Sequence, residues 1–298
     1  MKIFVTGGDG LIGSRFLDLL PKNYKSVAPN EKELDITNRE GVSNFFEKEK
    51  PEIVVHFAAL TDPKKAELER DDKNGLAWMV NVEGTKYLVR ESKKHNSFFI
   101  YISTDLIFPS TKTKEEYYDE DSQPARDSKE ISWYAWTKLE GEKIVLKELK
   151  NYAIIRFAYP FRTQDHENID FARLFLHMYD TNTMYPYFTD NTITPTYIDD
   201  ACEAIFRIID KKVTGIFHVM GSSSCSHYDY AKYLYEKTGR DSNKCEKTLM
   251  SEFLKKSRVP RSLYSTIKSE KTAKALGMRF KTWQEGADTF LDQYKSSK

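Results

Sequence analysis

The sequence predicts an α/β fold, doubly wound around a parallel sheet, with a smaller C-terminal lobe. Three observations carry the prediction. Strand-like and helix-like segments alternate through the first half, the strands are apolar without a break, and the first strand runs through a glycine-rich turn into the first helix. An unbroken apolar strand suits a sheet covered on both faces, whereas a strand with one wet face alternates.

Taken in order, Lys2 to Thr6 ("KIFVT") reads as a strand, Leu11 to Leu20 as a helix, Lys25 to Ala28 as a short strand, Arg39 to Lys48 as a helix and Glu52 to Phe57 as a strand. A long helix follows from about Gly75 to His95, then a strand from Phe98 to Ser103, a helix from about Ser132 to Lys147 and a strand from Ala153 to Phe157. Beyond Tyr159 the periodicity loosens. The stretches "YPFRTQDHENIDF" and "MYDTNTMYPYFTDNTITPTY" are rich in aromatics, Asn, Thr and Pro, and only Gly215 to Val219 reads as a further strand of the sheet. The expected division is a core over residues 1–158 and a loop-rich lobe over 159–298, with about 191–221 returning to the core.

The chain has 298 residues, of which 40% are hydrophobic, enough for a substantial core. Lys and Arg number 46 against 45 Asp and Glu, so no global field recruits nucleic acid or an anionic membrane, and an anionic partner must be bound locally. Apolar runs fall short of the roughly 20 residues of a membrane span, and the N-terminus enters a strand directly, so a cytoplasmic protein is expected. Cys202, Cys225 and Cys245 are odd in number and lack metal-ligand spacing, which predicts neither a disulfide framework nor a metal site.

The turn "VTGGDGLIG" lies where a strand gives way to a helix. There, backbone N–H groups at the helix N-terminus can meet a pyrophosphate, because glycines let the ligand approach the main chain. The glycines parse either as Gly8-x-Gly10-x-x-Gly13 or as Gly7-x-x-Gly10-x-x-Gly13, and the sequence leaves both open. A dinucleotide fold often ends its second strand in an acid that binds the ribose hydroxyls. Here that stretch is Val27-Ala-Pro-Asn30, while Arg15, just inside the helix, is placed to meet a 2′-phosphate. NADPH is therefore expected as the cofactor, with NADH also accepted.

Further along, "WYAWTKLEGEK" puts Tyr134 and Lys138 four residues apart on one helix face. An ammonium beside a phenol favours the phenolate and draws its pKa down from about 10, making a proton donor. The strand before it ends in "STDLIF", which sets Ser103, Thr104 and Asp105 at the C-terminal edge of the sheet, where doubly wound folds bind ligands. A hydroxyl there can steady the negative charge that grows on a carbonyl oxygen. His56, at the end of a buried strand, reads as a hydrogen-bonded core histidine, and Trp133, Trp136 and Tyr159 as core aromatics.

Together these segments resemble the extended short-chain dehydrogenase/reductase family, a Rossmann-type family. The likeness also runs through "LDIT" at Leu34–Thr37, "HFAALT" at His56–Thr61, "NVEGT" at Asn81–Thr85, "TPTYIDD" at Thr194–Asp200, "GIFHVMGS" at Gly215–Ser222 and "RSLYSTIKSEKTAKALG". The resemblance implies Thr104, Tyr134 and Lys138 as the catalytic set. It implies a cofactor set of Gly7, Gly10, Leu11, Ile12, Arg15, Phe57, Thr61, Ser103, Tyr134 and Lys138, with Asp35 and Ile36 at the adenine and Ala58 and Ala59 at the diphosphate. Substrate contacts fall to Thr104, Asp105, Arg258 and Arg261.

The implied activity is NAD(P)H-dependent reduction of a nucleotide-linked 4-keto-6-deoxy sugar in deoxysugar or polysaccharide biosynthesis, with the nucleotide sugar as partner, no nucleic acid or membrane, and room for a homodimer. Two alternatives stay open: a nucleotide-sugar epimerase on the same scaffold, and a non-catalytic NADP-binding regulatory subunit. The chain departs from the family pattern at His56-Phe57, where Asn-Ala is common, and in "TDPKKAELERDDKNG", which is longer than usual and expected to reshape the mouth of the site.

Overall fold

The computed structural model describes residues 1–257 and 259–296. Along the chain run β1 (Lys2–Thr6), α1 (Leu11–Asp18), β2 (Lys25–Val27), α2 (Arg39–Glu49), β3 (Ile53–His56), α3 (Pro63–Leu68), α4 (Leu76–Trp78), a π-helical turn (Met79–Gly84), α5 (Thr85–His95) and β4 (Phe98–Thr104). Then come α6 (Trp133–Glu148), β5 (Tyr152–Phe157), β6 (Pro160–Phe161), α7 (Phe171–Asp180), β7 (Tyr187–Phe188), β8 (Thr196–Tyr197), α8 (Ile198–Lys211) and β9 (Gly215–His218). The chain closes with α9 (His227–Lys237), β10 (Lys247–Thr248), α10 (Met250–Lys256), α11 (Glu270–Leu276) and α12 (Trp283–Ser296). Among the described residues no helix is long and apolar enough to cross a membrane.

Two compact units emerge. The first holds Met1–Ile107, Pro124–Arg156 and Cys202–Phe217, the second Phe108–Gln123, Phe157–Ala201 and His218–Lys298. The return to the first unit is thus shorter than the 191–221 expected. The excursion Phe108–Gln123, which has no compositional signal, belongs to the second.

In the first unit a six-stranded parallel sheet has the order β2-β1-β3-β4-β5-β9. The register pairs Val5 with Val55 and Thr6 with His56, and Val55 with Ile100. Strand order reverses between β1 and β3, so the crevice beyond their carboxyl ends is the switch point at which such sheets bind ligands. Every residue of β3 and β4 is buried, as their apolar runs predict. Phe4, Val54, Phe99 and Ile154 of the strands pack with Val42, Phe46, Leu88, Val89 and Val145 of α2, α5 and α6.

The helix expected from Gly75 to His95 is present but not uniform, because Met79–Gly84 widens into a π turn. Within it the Thr85 hydroxyl donates to the Asn81 carbonyl at 2.8 Å, and the Asn81 side chain turns away to other partners. The second unit carries α7, α9, α10, α11 and α12 joined by long irregular stretches, and these helices leave little signal in the sequence because aromatics are weak helix formers outside a packed context. Here Phe161, Phe175, Tyr187, Tyr230, Tyr235 and Phe290 share one buried cluster, and burial of rings this large outweighs propensity. Start signals were there to read: Asp170 caps α7, and Ser226 with Asp229 forms a capping box on α9.

One of the ion pairs of the first unit is fully buried. Arg156 of β5 donates through Nε and Nη2 to the two carboxylate oxygens of Glu142 on α6, at 3.0 and 2.7 Å, with 2% and 1% of the side chains exposed. Removing the guanidinium strands a buried carboxylate, so Arg156→Leu is expected to lower unfolding free energy by about 3–5 kcal/mol. The Arg156→Leu/Glu142→Leu pair should recover much of that loss. Urea unfolding checks both, and a double variant as unstable as the single one would show that the stranded charge is not the cause.

Candidate active site

The glycine turn after β1 is resolved by geometry. Gly7 sits at φ +67, and a Cβ there would stand 2.6 Å from the Ala58 nitrogen; a Cβ on Gly13 would stand 2.2 Å from the Gly7 carbonyl oxygen. The Gly10 amide donates to that carbonyl at 3.1 Å and Gly10 is the N-cap of α1. The working pattern is therefore Gly7-x-x-Gly10-x-x-Gly13, in which Gly7 makes the left-handed bend and Gly13 lets the helix close onto it. Gly10 meets nothing nearer than 3.3 Å, so its missing side chain leaves space beside the helix N-terminus.

A cavity of about 350 Å³ opens over this turn at the switch point. Of the expected cofactor residues, Gly7, Asp35, Ile36, Ala58 and Ala59 line it, whereas Gly10, Leu11, Ile12, Arg15, Phe57, Thr61, Ser103, Tyr134 and Lys138 do not. Leu11, Ile12 and Arg15 form the first turns of α1, and Phe57 packs on Phe16 at 5.4 Å between ring centres. Pro29, Asn30, Leu34, Leu60, Leu76 and Val80 add to the wall.

The charge of the wall differs from what the sequence suggested. Asn30 does lie on the cavity, but its side-chain oxygen is committed to the amides of Lys32 and Glu33, and Glu31 beside it lines the cavity with an exposed carboxylate. With Asp9 and Asp35, three acids and no Lys or Arg line this space. Sequence reasoning stopped at Asn30, one residue before the acid.

Behind the wall, hydroxyls and one imidazole form a directed chain. Thr85 Oγ1 donates to the Asn81 carbonyl, so it accepts from His56 Nε2 at 2.9 Å. His56 Nδ1 then accepts from Thr6 Oγ1 at 2.7 Å, and that oxygen accepts from the Ala58 amide at 3.3 Å. His56 is fully buried, and burial first, with the Lys138 charge second, holds its pKa far below the ordinary value, so it stays neutral. It is a core histidine, as expected, but one that ties Ala58 to the π turn.

Asn81 is the residue the sequence reading passed over. Its side chain accepts from the Leu60 amide at 2.8 Å, and donates to the Leu60 carbonyl at 3.2 Å and to Thr137 Oγ1 at 2.9 Å. It thereby bolts the cavity wall after β3 to α6. The motif "NVEGT" contained it, with nothing to show that its side chain would leave its own helix.

The expected chemical residues meet on α6 and the end of β4. Ser132 caps α6, accepting from the Ala135 amide at 3.3 Å, and Tyr134 and Lys138 follow. The Lys138 ammonium, 2% exposed as a residue, stands 4.2 Å from the centre of the Tyr101 ring, and the Tyr101 hydroxyl donates to the Lys138 carbonyl at 3.1 Å. This close approach requires Gly141, since a Cβ there would fall 2.1 Å from the Tyr101 oxygen. Thr104 Oγ1 donates to the Asp105 carboxylate at 3.2 Å, and both residues are buried. Neither the Tyr134 hydroxyl nor the Lys138 ammonium hydrogen-bonds to another described residue, and Ser103 Oγ is buried without a partner.

Protein groups alone set these protonation states in a direction opposite to the one expected. Burial, and then the Asp105 carboxylate, push the Tyr134 phenol up. Burial pushes Lys138 down to about 7, against a smaller upward pull from Glu142. The ammonium that was to draw the phenol down is itself desolvated.

Arg261 lies in the second unit, 6.0 Å from the Phe253 ring centre, and its charge is felt by Tyr185 and His227. Arg258 lies outside the described residues. Cys202, Cys225 and Cys245 are free and buried, and no group of three or more metal-ligating side chains occurs among the described residues.

A glycine cradle at the switch point of a parallel sheet, with a Tyr-x-x-x-Lys helix beside a Ser-Thr strand end, defines a Rossmann-type dehydrogenase/reductase of the extended short-chain kind. More narrowly, the chain belongs to the family described as RmlD substrate binding domain, whose model matches residues 1–296. It is 28% identical over 299 residues to the spore coat polysaccharide biosynthesis protein SpsK of Bacillus subtilis (strain 168), covering 99% of each chain. Among solved structures it is similar to a dTDP-4-dehydrorhamnose reductase from Clostridium acetobutylicum, with a TM-score of 0.87, 28% identity and coverage of 99% and 100% of the two chains. It is also similar to a dTDP-4-dehydrorhamnose reductase from Bacillus anthracis solved in complex with NADP, with a TM-score of 0.86, 26% identity and coverage of 98% and 99%.

The buried lysine makes a testable statement about stability. Its folded pKa of about 7 lies below an unfolded value of about 10.4. The unfolded chain therefore binds the extra proton between those values, and stability rises with pH across that window. Lys138→Met is expected to raise Tm most below about pH 7 and progressively less toward about pH 10. A gain independent of pH in calorimetry would place the lysine's burden in packing rather than charge.

Proposed function

We propose that the chain is an NADPH-dependent reductase of a nucleotide-linked 4-keto-6-deoxy sugar, of the dTDP-4-dehydrorhamnose reductase type. The observations that carry the reading are a set of groups without a hydrogen-bond partner on α6 and at the end of β4, namely the Tyr134 hydroxyl, the Lys138 ammonium and the buried Ser103 hydroxyl, and a cavity whose glycine turn suits a dinucleotide diphosphate. The residues present fit the cofactor, since Gly7, Ala58 and Ala59 offer backbone without side-chain obstruction and Asp35 and Ile36 wall the far end.

A dihydronicotinamide held there would supply the hydride that reduces C4 of the sugar. Tyr134 gives the proton to the alkoxide that forms, and its raised pKa keeps that proton in place until negative charge appears next to it. Thr104 turns its hydroxyl from Asp105 toward the same oxygen and shares its charge. Lys138, with a pKa near the working range, donates to the nicotinamide ribose and restores to the phenol environment the positive field that burial removes. Arg261, among Phe253, Tyr185 and His227, is assigned to the substrate's diphosphate, and Arg258 is assigned there by resemblance alone.

Tyr134→Phe is expected to lower kcat for NADPH-dependent reduction of a 4-keto-6-deoxy sugar nucleotide by roughly 100-fold or more, with little change in cofactor affinity. Near-normal turnover would remove the phenol from the mechanism. No turnover by the natural chain across dTDP-, UDP- and GDP-linked 4-keto sugars, with NADPH bound, would favour a non-catalytic role.

The cavity wall sets a second test. Arg15 on α1 is assigned to a 2′-phosphate and Glu31 opposes it. Arg15→Ala should lower the NADPH:NADH ratio of kcat/KM and Glu31→Gln should raise it, each by about 3- to 10-fold, since an exposed charge contact contributes about 1 kcal/mol. Unchanged ratios in both would place cofactor choice elsewhere.

A further inference from the structure

The long segment between β3 and α4 reaches back to the start of the helix that carries Tyr134. Glu67, on α3, accepts through Oε2 from the backbone amide of Trp133 at 2.9 Å, the first residue of α6. Arg70 donates through Nε to Glu67 Oε1 at 2.5 Å and through Nη2 to Glu67 Oε2 at 3.1 Å. The same guanidinium donates to the Ser128 carbonyl through Nη1 and to the Ile131 carbonyl through Nη2, both at 2.9 Å. The side chains are 24% and 16% exposed, sheltered but not sealed. Beside them, Trp78 stacks on Trp133 with ring centres 5.7 Å apart and planes at 22°, and Lys73 caps Trp78 at 4.9 Å.

These contacts share a destination. Every bond from the pair to the main chain lands between Ser128 and Trp133, and Tyr134 is the next residue. Ser132 already caps the helix by accepting from the Ala135 amide, so Glu67 satisfies a different free amide, supplied from a distant part of the chain, and puts negative charge at the positive end of the helix dipole. Lys138, a turn further on, is held by other means: the Tyr101 ring and hydroxyl and the Gly141 approach. An ion pair this accessible contributes little to stability. It does fix the angle at which α6 begins, and a displacement of about 1 Å at a reacting group can cost roughly 100-fold in rate.

We propose that Glu67 and Arg70 are positioning residues that aim the Tyr134 hydroxyl by clasping the N-terminus of α6. The proposal rests on the reductase reading for its kinetic consequence but not for its physical one. Because the clasp acts ahead of Tyr134 and not on Lys138, it affects kcat and leaves cofactor KM in place.

The test compares Glu67→Ala, Glu67→Gln and Arg70→Lys with the natural chain, in steady-state kinetics per folded molecule and in amide hydrogen exchange of peptides covering residues 128–138. Glu67→Ala is expected to lower kcat roughly 10- to 100-fold with cofactor KM within about 2-fold, and to speed exchange at Trp133 and Tyr134. Glu67→Gln, whose amide oxygen still accepts from Trp133, should restore most of kcat and protection. Arg70→Lys, which lacks the fork that reaches both carbonyls, should fall between them. Three results would overturn the clasp: natural kcat and exchange in Glu67→Ala, equal loss in the Gln and Ala variants, or a fall in Tm with kcat per folded molecule unchanged. An inactive natural chain would instead overturn the reductase reading, and the exchange comparison would still decide the clasp.

Discussion

Burying an ammonium on the inner face of a helix is costly unless the charge is met, and α6 is arranged around that constraint. Lys138 takes no carboxylate within hydrogen-bonding reach among the described residues; it stands over the Tyr101 ring and depends on Glu142, one turn further along, for a longer-range pull. Glu142 is itself buried and is neutralised by Arg156 of β5. The order lysine, carboxylate, guanidinium thus spreads one unmet positive charge over a chain of partners that crosses from helix to sheet. Glu142 pairs with Arg156 instead, so the Lys138 ammonium makes no contact ion pair among the described residues.

The sheet supplies the surface that makes this possible. β4 presents Tyr101 toward α6, Gly141 lets the helix come down onto the phenol, and the same strand delivers Ser103 and Thr104 at its end. From the other side, Asn81 holds α6 through Thr137 and holds the cavity wall through Leu60. The helix is therefore located by three independent devices along its length: the clasp at its first residue, the amide bridge one turn on, and the buried ion pair beyond. The side chains on α6 are thus positioned by rigid elements rather than by loops, the arrangement that precise placement demands.

What the sequence disclosed follows from how local each feature is. Continuous apolar strands and the strand-turn-helix context of the glycines are local, so the parallel sheet and the cradle were legible, and the four-residue spacing of Tyr134 and Lys138 sufficed to put them on one face. The choice between the two glycine parses was not, because it depends on Gly7 packing against Ala58, two strands' ends meeting in space. Glu67 and Arg70 looked like two charges in a polar stretch, for their partners are a backbone amide and two carbonyls near residue 130 and no spacing rule points there. The helices of the second unit were missed for a related reason: their aromatic content lowers local propensity, and the cluster that overrides it is assembled from stretches far apart in the chain.

The direction of the two pKa shifts ties these levels together. A Tyr-x-x-x-Lys pair on a wet helix would sit near ordinary values, with the ammonium charged and the phenol drawn slightly down. On this helix, dehydration drives the two groups apart, the lysine down to about 7 and the tyrosine upward, each toward its neutral form. A lysine near 7 is poised: negative charge added close to it favours its protonated form, and a protonated Lys138 in turn favours charge on the phenol. The desolvation that lowers stability is thus the same feature that makes the charge of this lysine responsive to its surroundings, which no exposed pair at this spacing could do.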